Sequence, residues 1–259
     1  FDYSLTINTY NTFPHSSGIA SSASAFSCLS MCIMEFEKHL SNCSQDFQFQ
    51  KASFLSRLGS GSACRSIYGP MAVWGENKII KNASDEFAIS FNEIHPIFNN
   101  YQDTILLVDK GTKQVSSSLG HDLMHNHPFS SQRFHQANNQ LESLVDVLKC
   151  GDIKKFISIT EQEALTLHAM MMTSNPYFIL MKEGTLSIIN KIWDFRRNTS
   201  VPVSFTLDAG ANVHLLYPES YKQKVLDFID SELVVFCENQ QYICDEVGSG
   251  AKILKAIYA

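Results

Sequence analysis

Asn11-Thr-Phe-Pro-His-Ser-Ser-Gly-Ile-Ala-Ser-Ser-Ala-Ser24 is the stretch on which the reading of this chain turns. A proline, a glycine and a serine pair stand directly ahead of an amphipathic run. Ala25, Leu29, Cys32, Phe36 and Leu40 recur there at helical spacing, which predicts a helix from Ser21. The first turn of a helix carries free N–H groups and the positive end of the peptide dipoles, so this junction suits phosphate oxygens. Ser21 or Ser22 would cap any helix. The pattern Pro-x-x-x-Gly-x-x-Ser-Ser is denser than capping requires, and it favours phosphate binding over residues 14–22.

Working outward, Gly59-Ser-Gly-Ser-Ala-Cys-Arg-Ser66 is a turn of small residues around one guanidinium. Arg65 there could be a surface arginine paired with a carboxylate. Its neighbours let backbone and ligand approach closely, and the planar fork matches a carboxylate or phosphate. Asp208 stands where the apolar run Val201–Leu207 breaks into Ala-Gly-Ala-Asn212. An aspartate in that position either bonds its own turn or faces a pocket, where it would position or deprotonate a hydroxyl. Sequence leaves the two readings level.

The remaining chain reads as an α+β layered protein. Residues 3–10 alternate weakly and predict a strand feeding the loop. Met71–Trp74, Glu86–Phe91, Thr104–Val108, Val201–Leu207 and His214–Tyr217 predict further strands. Phe134, Ala137, Leu141, Leu144 and Leu148 mark a helix that Gly151 ends. Asp152 caps the next helix, with a face of Ile153, Phe156, Thr160, Ala164 and Leu167. A third helix around Leu186–Phe195 ends in Arg196-Arg197, which complements its dipole. Mixed elements without βαβ regularity imply α+β, with a soft domain boundary near residue 101.

Composition narrows the function classes. The 259 residues are 44% apolar and 18% charged, with a net charge of −6, which fits a folded domain and argues against nucleic acid as partner. No apolar run reaches membrane-spanning length, and Phe1-Asp-Tyr-Ser opens no signal peptide, so a cytoplasmic protein is expected. The seven cysteines, with Cys28 and Cys32 on one helix face and Cys237 and Cys244 seven apart, predict reduced and mostly buried thiols. The sequon-like stretches at Asn42, Asn82 and Asn198 carry little weight. His121, Asp122, His125 and His127 lie among Gly120, Asn126 and Pro128, which favours a solvated or lid loop over a metal site. His168 reads as a satisfied packing residue, and Met170–Met172 as core filler.

Taken together, three segments resemble the diphosphomevalonate decarboxylases of the GHMP kinase superfamily. Phe13–Ala23 is similar to the family's phosphate loop. Gly59-Ser-Gly-Ser-Ala-Cys-Arg-Ser-Ile-Tyr-Gly69 is similar to its most distinctive block, and Thr206-Leu-Asp-Ala-Gly-Ala-Asn212 to its catalytic aspartate motif. The resemblance implies a GHMP-kinase-like two-domain α+β fold. Residues 1–100 would form the N-terminal domain, here incomplete, and residues 101–259 a ferredoxin-like α/β-sandwich domain with the site in the cleft between.

It also implies a reaction. ATP would phosphorylate the 3-hydroxyl of (R)-5-diphosphomevalonate, and loss of that phosphate and of CO2 would give isopentenyl diphosphate. Asp208 would contact the hydroxyl as base or orienting group, and Arg65 would hold the C1 carboxylate. Gly18, Ser21 and Ser22 would cradle ATP phosphates, Ser60 and Ser62 would line the substrate side, and Mg2+ would ride on the phosphates without a metal site of the protein's own. Family members are often homodimers, so a homodimer is expected.

Departures from the pattern are His15, in place of a small residue, and Ala211, where many relatives have proline. The family's segment ahead of the phosphate loop, with a Trp-Gly-Lys motif, is not in this sequence. ATP and the substrate together carry about seven negative charges, and near the two motifs the sequence offers Arg57 and Arg65. Alternatives are therefore a mevalonate-type small-molecule kinase, a phosphomevalonate decarboxylase, or a non-catalytic fragment or binding module.

Overall fold

Small side chains set the first layer of the fold. In the computed structural model, which describes residues 4–15, 18–40, 45–111 and 123–254, helices α1 (Ser21–Leu40) and α2 (Gln45–Gly59) pack against each other. The buried face of α1 is Ala23, Ser27, Ser30, Met31 and Met34, and α2 buries Ala52, Ser53 and Ser56. This corrects the sequence expectation, because Ala25, Leu29 and Phe36 are half-buried and Cys32 and Leu40 exposed. Small residues let two helix backbones approach, and their hydroxyls are satisfied locally. Ser27 donates to Ser24 O and Ser56 to Ser53 O, each at 2.9 Å. Ser53 is fully buried, and its Oγ donates to Cys64 O and accepts from Ala88 N–H, both at 2.9 Å. One buried hydroxyl thereby ties α2 to a 3-10 turn (Gly61–Ile67) and to the segment after it.

That segment carries the short antiparallel pair β1 (Ala72–Val73) and β2 (Ile89–Ser90), inside the two predicted strands. Residues 4–10 form no strand; no ladder partner meets them among the described residues, and Leu5, Ile7 and Tyr10 are exposed. Gly69 has a packing reason to be glycine. A Cβ there would lie 2.4 Å from the backbone at Ser249 and Gly250, which crosses it on the way to the C-terminus. Backbone cannot rotate aside as a side chain can. Gly69→Ala is therefore expected to cost about 1–3 kcal/mol in urea unfolding, and a change under about 0.5 kcal/mol would show that the crossing segment relaxes freely.

The second half is a four-stranded antiparallel sheet ordered β4-β5-β3-β6, from β3 (Gln102–Leu106), β4 (Ser204–Thr206), β5 (Val213–Tyr217) and β6 (Tyr242–Glu246). Helices α3 (Ser130–Cys150), α4 (Ile153–Met172), α5 (Glu183–Thr199) and the short α6 (Lys222–Phe228) accompany it. The turn between α3 and α4 follows its sequence signals. Gly151 takes a left-handed φ of 80° and donates to Val147 O, and the Asp152 carboxylate accepts from Lys155 N–H at 3.0 Å.

Strand alternation gives the sheet two different faces. Leu106, Phe205, Val213, Leu215 and Tyr217 point into the main core with Ala164, Ile188, Ile189 and Ile192. The α4 stripe that is buried runs Ile157, Glu161, Ala164, His168 and Met171, so two of its five positions are polar. Of the expected face only Ala164 is fully buried; the apolar period misses Glu161 and His168, which are buried because they have partners. Glu161 accepts from Arg196 at 2.6 and 3.0 Å and from Trp193 Nε1 at 3.0 Å, while Arg196 also donates to Val203 O at 2.7 Å. Arg196 thus anchors α5 to α4 as well as complementing the helix end.

The cysteines depart from expectation. Cys64 and Cys237 are buried free thiols, but Cys28, Cys32, Cys150 and Cys244 are exposed; Cys43 lies outside the described residues. Cys28 and Cys32 do share a face of α1, the one turned away from its small-residue stripe. Met170 and Met171 are core and Met172 is exposed. No described helix is long and apolar enough to cross a membrane.

Candidate active site

One face of the sheet carries polar groups around His214. The register sets Thr206 opposite His214, His214 opposite Ile105, Ile105 opposite Ile243 and Asp103 opposite Asp245. Across a pleated sheet, directly opposed residues share a face, so two carboxylates and an imidazole stand together there. A cavity of about 570 Å3 lies on this face. Thr12, Phe13, Gly18, Ile19 and Ala20 line one side of it, and the sheet residues with Leu207 and Asp208 line the other.

The loop side is shaped by backbone. Gly18 takes φ 82° and Ala20 φ 58°. The first is free for glycine, and the second costs an alanine about 1–2 kcal/mol. Ser24 N–H then donates to Ala20 O at 3.2 Å, and α1 begins with no acidic residue in its first turn. A left-handed bend delivering a helix N-terminus fits a polyphosphate.

On the sheet side β4 ends at Thr206, and the Asp208 side chain is exposed. Its turn is held through main chain. Asp208 O accepts from Gly210 N–H at 2.7 Å and lies 3.2 Å from His168 Nε2. Ala211 O accepts from the buried Thr185 hydroxyl at 2.6 Å, and Asn212 Oδ1 accepts from Asp109 N–H at 2.9 Å. Ala211 is itself buried, and its side chain supplies no polar group to the site.

His214 and Asp103 give the cavity its charge pattern. His214 Nδ1 is 3.0 Å from both oxygens of Asp103. Burial opposes a charge on His214, but the Asp103 hydrogen bond and charge, with the charges of Asp208 and Asp245, outweigh it and raise its pKa above the usual 6.5. The cavity therefore keeps an imidazolium among three carboxylates to higher pH than a free imidazole would. Anionic phosphate belongs at the loop side, and a divalent cation would offset its repulsion from the carboxylates. Among the described residues no group of three or more His, Cys, Asp or Glu side chains could hold that metal.

The site residues expected from sequence divide into two groups. Gly18 and Asp208 line the same cavity. Ser22 and Ser60 meet at 3.1 Å between their hydroxyls, which joins the phosphate loop to the arginine block. Ser21, Ser22, Ser60, Ser62 and Arg65 are not among the residues lining the cavity, and Arg65 is exposed on its 3-10 turn. Arg57 donates through Nε to Glu86 O at 2.7 Å, a structural engagement.

His121 and Asp122 lie outside the described residues, and His125 is exposed. His127 is buried rather than solvated. Its Nδ1 accepts from Phe129 N–H at 3.1 Å, so Nε2 carries the proton and donates to Thr173 Oγ1 at 3.1 Å. Asp103, His214 and Asp245 were not found from sequence. The available signal was a titratable residue within an otherwise apolar strand, as His214 in Val213-His-Leu-Leu-Tyr217.

A glycine loop and helix N-terminus face an aspartate at a strand end within an α+β frame, the arrangement that resemblance to a GHMP-kinase-like fold implies. The diphosphomevalonate decarboxylase-like N-terminal domain model matches residues 1–87, and the mevalonate 5-diphosphate decarboxylase C-terminal domain model matches residues 104–255. The chain belongs to the mevalonate 5-diphosphate decarboxylase family. It is 28% identical over 229 residues to the diphosphomevalonate decarboxylase of Candida albicans, covering 87% of this chain and 60% of that protein. It thus spans less than two thirds of the length of that curated relative. The crystal structure of the Staphylococcus aureus mevalonate diphosphate decarboxylase superposes with a TM-score of 0.77 at 28% identity, covering 93% of this chain and 69% of the other. A structure of MDDEF in complex with MVAPP, AMPPCP and magnesium superposes with a TM-score of 0.77 at 27% identity, covering 92% and 68%.

Proposed function

We propose that the protein to which this chain belongs converts (R)-5-diphosphomevalonate to isopentenyl diphosphate, with ATP consumed and ADP, phosphate and CO2 released. The observation that carries this reading is the shared cavity of Gly18–Ala20 and Asp208, which sets a phosphate loop opposite a carboxylate. Family membership supports the substrate, and the relative bound to MVAPP, AMPPCP and magnesium supports ATP with Mg2+.

Each residue then has a task. Gly18 and the α1 N-terminus at Ser21 and Ser22 hold the nucleotide phosphates. Asp208 accepts or orients the proton of the tertiary 3-hydroxyl, which makes that oxygen the nucleophile toward phosphorus. When bound, MgATP supplies the phosphoryl group that turns this hydroxyl into a leaving group. Ser60 and Ser62 contact the substrate, and Arg65 fixes its C1 carboxylate in line for loss as CO2. The Ser22–Ser60 hydrogen bond supports the Arg65 role, because it couples the carboxylate-binding block to the phosphate loop. On the same reading residues 1–100 and 101–259 are two domains, and the protein is a cytoplasmic homodimer.

The test is ATP-dependent CO2 release from carboxyl-labelled substrate by the full-length protein. ADP formation without CO2 would instead indicate a kinase, and neither product a non-catalytic chain. Arg65→Lys keeps the charge and loses the bidentate fork, so CO2 release is expected to fall about 10²-fold with nucleotide affinity unchanged. Equal rates for the two proteins would remove Arg65 from carboxylate positioning.

A further inference from the structure

Helix α4 reaches the aspartate turn through His168. We propose that His168 is a positioning residue for Asp208, holding the Asp208 peptide plane so that the exposed carboxylate keeps a fixed aim into the cavity. The inference rests on the reaction assigned above to Asp208. Its geometric basis is separate from that reading.

His168 is 1% exposed, and its Nε2 lies 3.2 Å from Asp208 O. A carbonyl oxygen only accepts, so Nε2 carries the hydrogen. Burial pushes the His168 pKa down, more than the Asp208 carbonyl and charge push it up, so the ring is neutral and holds that one N–H. Asp208 O also accepts from Gly210 N–H at 2.7 Å. Two donors in two directions use both lone pairs of the oxygen and leave the 208–209 peptide little freedom to rotate. That peptide sets the direction of the Asp208 Cα–Cβ bond. The other end of the turn has its own anchors, Thr185 on Ala211 O and Asp109 N–H on Asn212. At the aspartate end His168 supplies a side-chain donor to the main chain. An apolar residue of similar bulk would fill the space and leave the carbonyl without that donor.

The test compares His168→Leu, which removes the donor, with His168→Gln, which restores an N–H, in the full-length protein. Turnover and hydrogen–deuterium exchange of the segment 206–212 are read side by side. For His168→Leu, kcat should fall between about 10- and 100-fold with KM for both substrates within about two-fold, and exchange in 206–212 should quicken. For His168→Gln both should return to within a few-fold of wild type. Three results would overturn the proposal: wild-type kcat and exchange in the Leu variant, lost kcat with unchanged exchange, or equal damage by Leu and Gln. If the wild type itself shows no turnover, the assigned reaction fails and not this inference. Exchange then decides alone, with unquickened exchange in the Leu variant counting against it.

Discussion

Asp208→Asn is expected to abolish turnover while leaving the fold and nucleotide binding in place. The substitution conserves shape and removes the one carboxylate that sits at the end of β4 and faces the phosphate loop across the cavity. The turn keeps anchors that do not use that side chain. They run through Asp208 O, Ala211 O and Asn212, all of which an asparagine at 208 leaves untouched. Removal of a proton acceptor poised on a reacting hydroxyl costs about 10²–10⁴-fold in rate. ADP and CO2 release should both fall by that factor, because in the proposed reaction phosphorylation comes before decarboxylation. Thermal unfolding and nucleotide titration should match wild type. Undiminished turnover would take Asp208 out of the mechanism, and loss of CO2 with full ADP formation would move its role to the second step.

The largest stability effect is expected at Glu161→Ala. Glu161 is nearly buried and satisfies three donors, two from the Arg196 guanidinium and one from the Trp193 ring. Removing it leaves a largely enclosed cation and an indole N–H without their acceptor. Breaking such a pair from one side typically costs about 3–5 kcal/mol, a large share of a domain's net stability. The Arg196 bond to Val203 O ties the same network to the strand that leads to Asp208, so α4, α5 and β4 should loosen together. Urea unfolding of Glu161→Ala is the measurement, with Glu161→Gln expected to lose less because it keeps an acceptor for Trp193. A loss under 1 kcal/mol would mean that water replaces the carboxylate.

Punctuation in the sequence was legible and orientation was not. Gly151 and Asp152 mark a helix end and a helix start by local chemistry, and the structure has both. The helix at Ser21 was equally plain, yet its buried face was not. Apolar periodicity favoured Ala25, Leu29 and Phe36, whereas the helix partner selects small Ala23, Ser27 and Ser30 so that two backbones can approach. Exposed Cys28 and Cys32 follow from the same rotation. Of the cavity, the loop is legible from backbone chemistry, while for Asp208 the residues alone leave a turn role and a pocket role level, and the structure puts it on the cavity wall. Asp103 and His214 were not legible, because what makes them notable is a partner 111 residues away. His168 was read correctly as a satisfied core histidine, but the acceptor that satisfies it belongs to a turn 40 residues on.

The alternation along β5 separates two kinds of tolerance on a single strand. Val213, Leu215 and Tyr217 face the core, and changes there should register as lost protein, whatever the chemistry of the replacement. His214 faces the cavity, and changes there should register as altered catalysis in a protein of ordinary abundance. A mutational scan across Val213, His214 and Leu215 would then alternate between abundance and activity, while Leu216, packed on the second apolar cluster, should register as lost protein. The same geometry forbids insertions: one added residue would exchange the two faces and place the imidazole in the core.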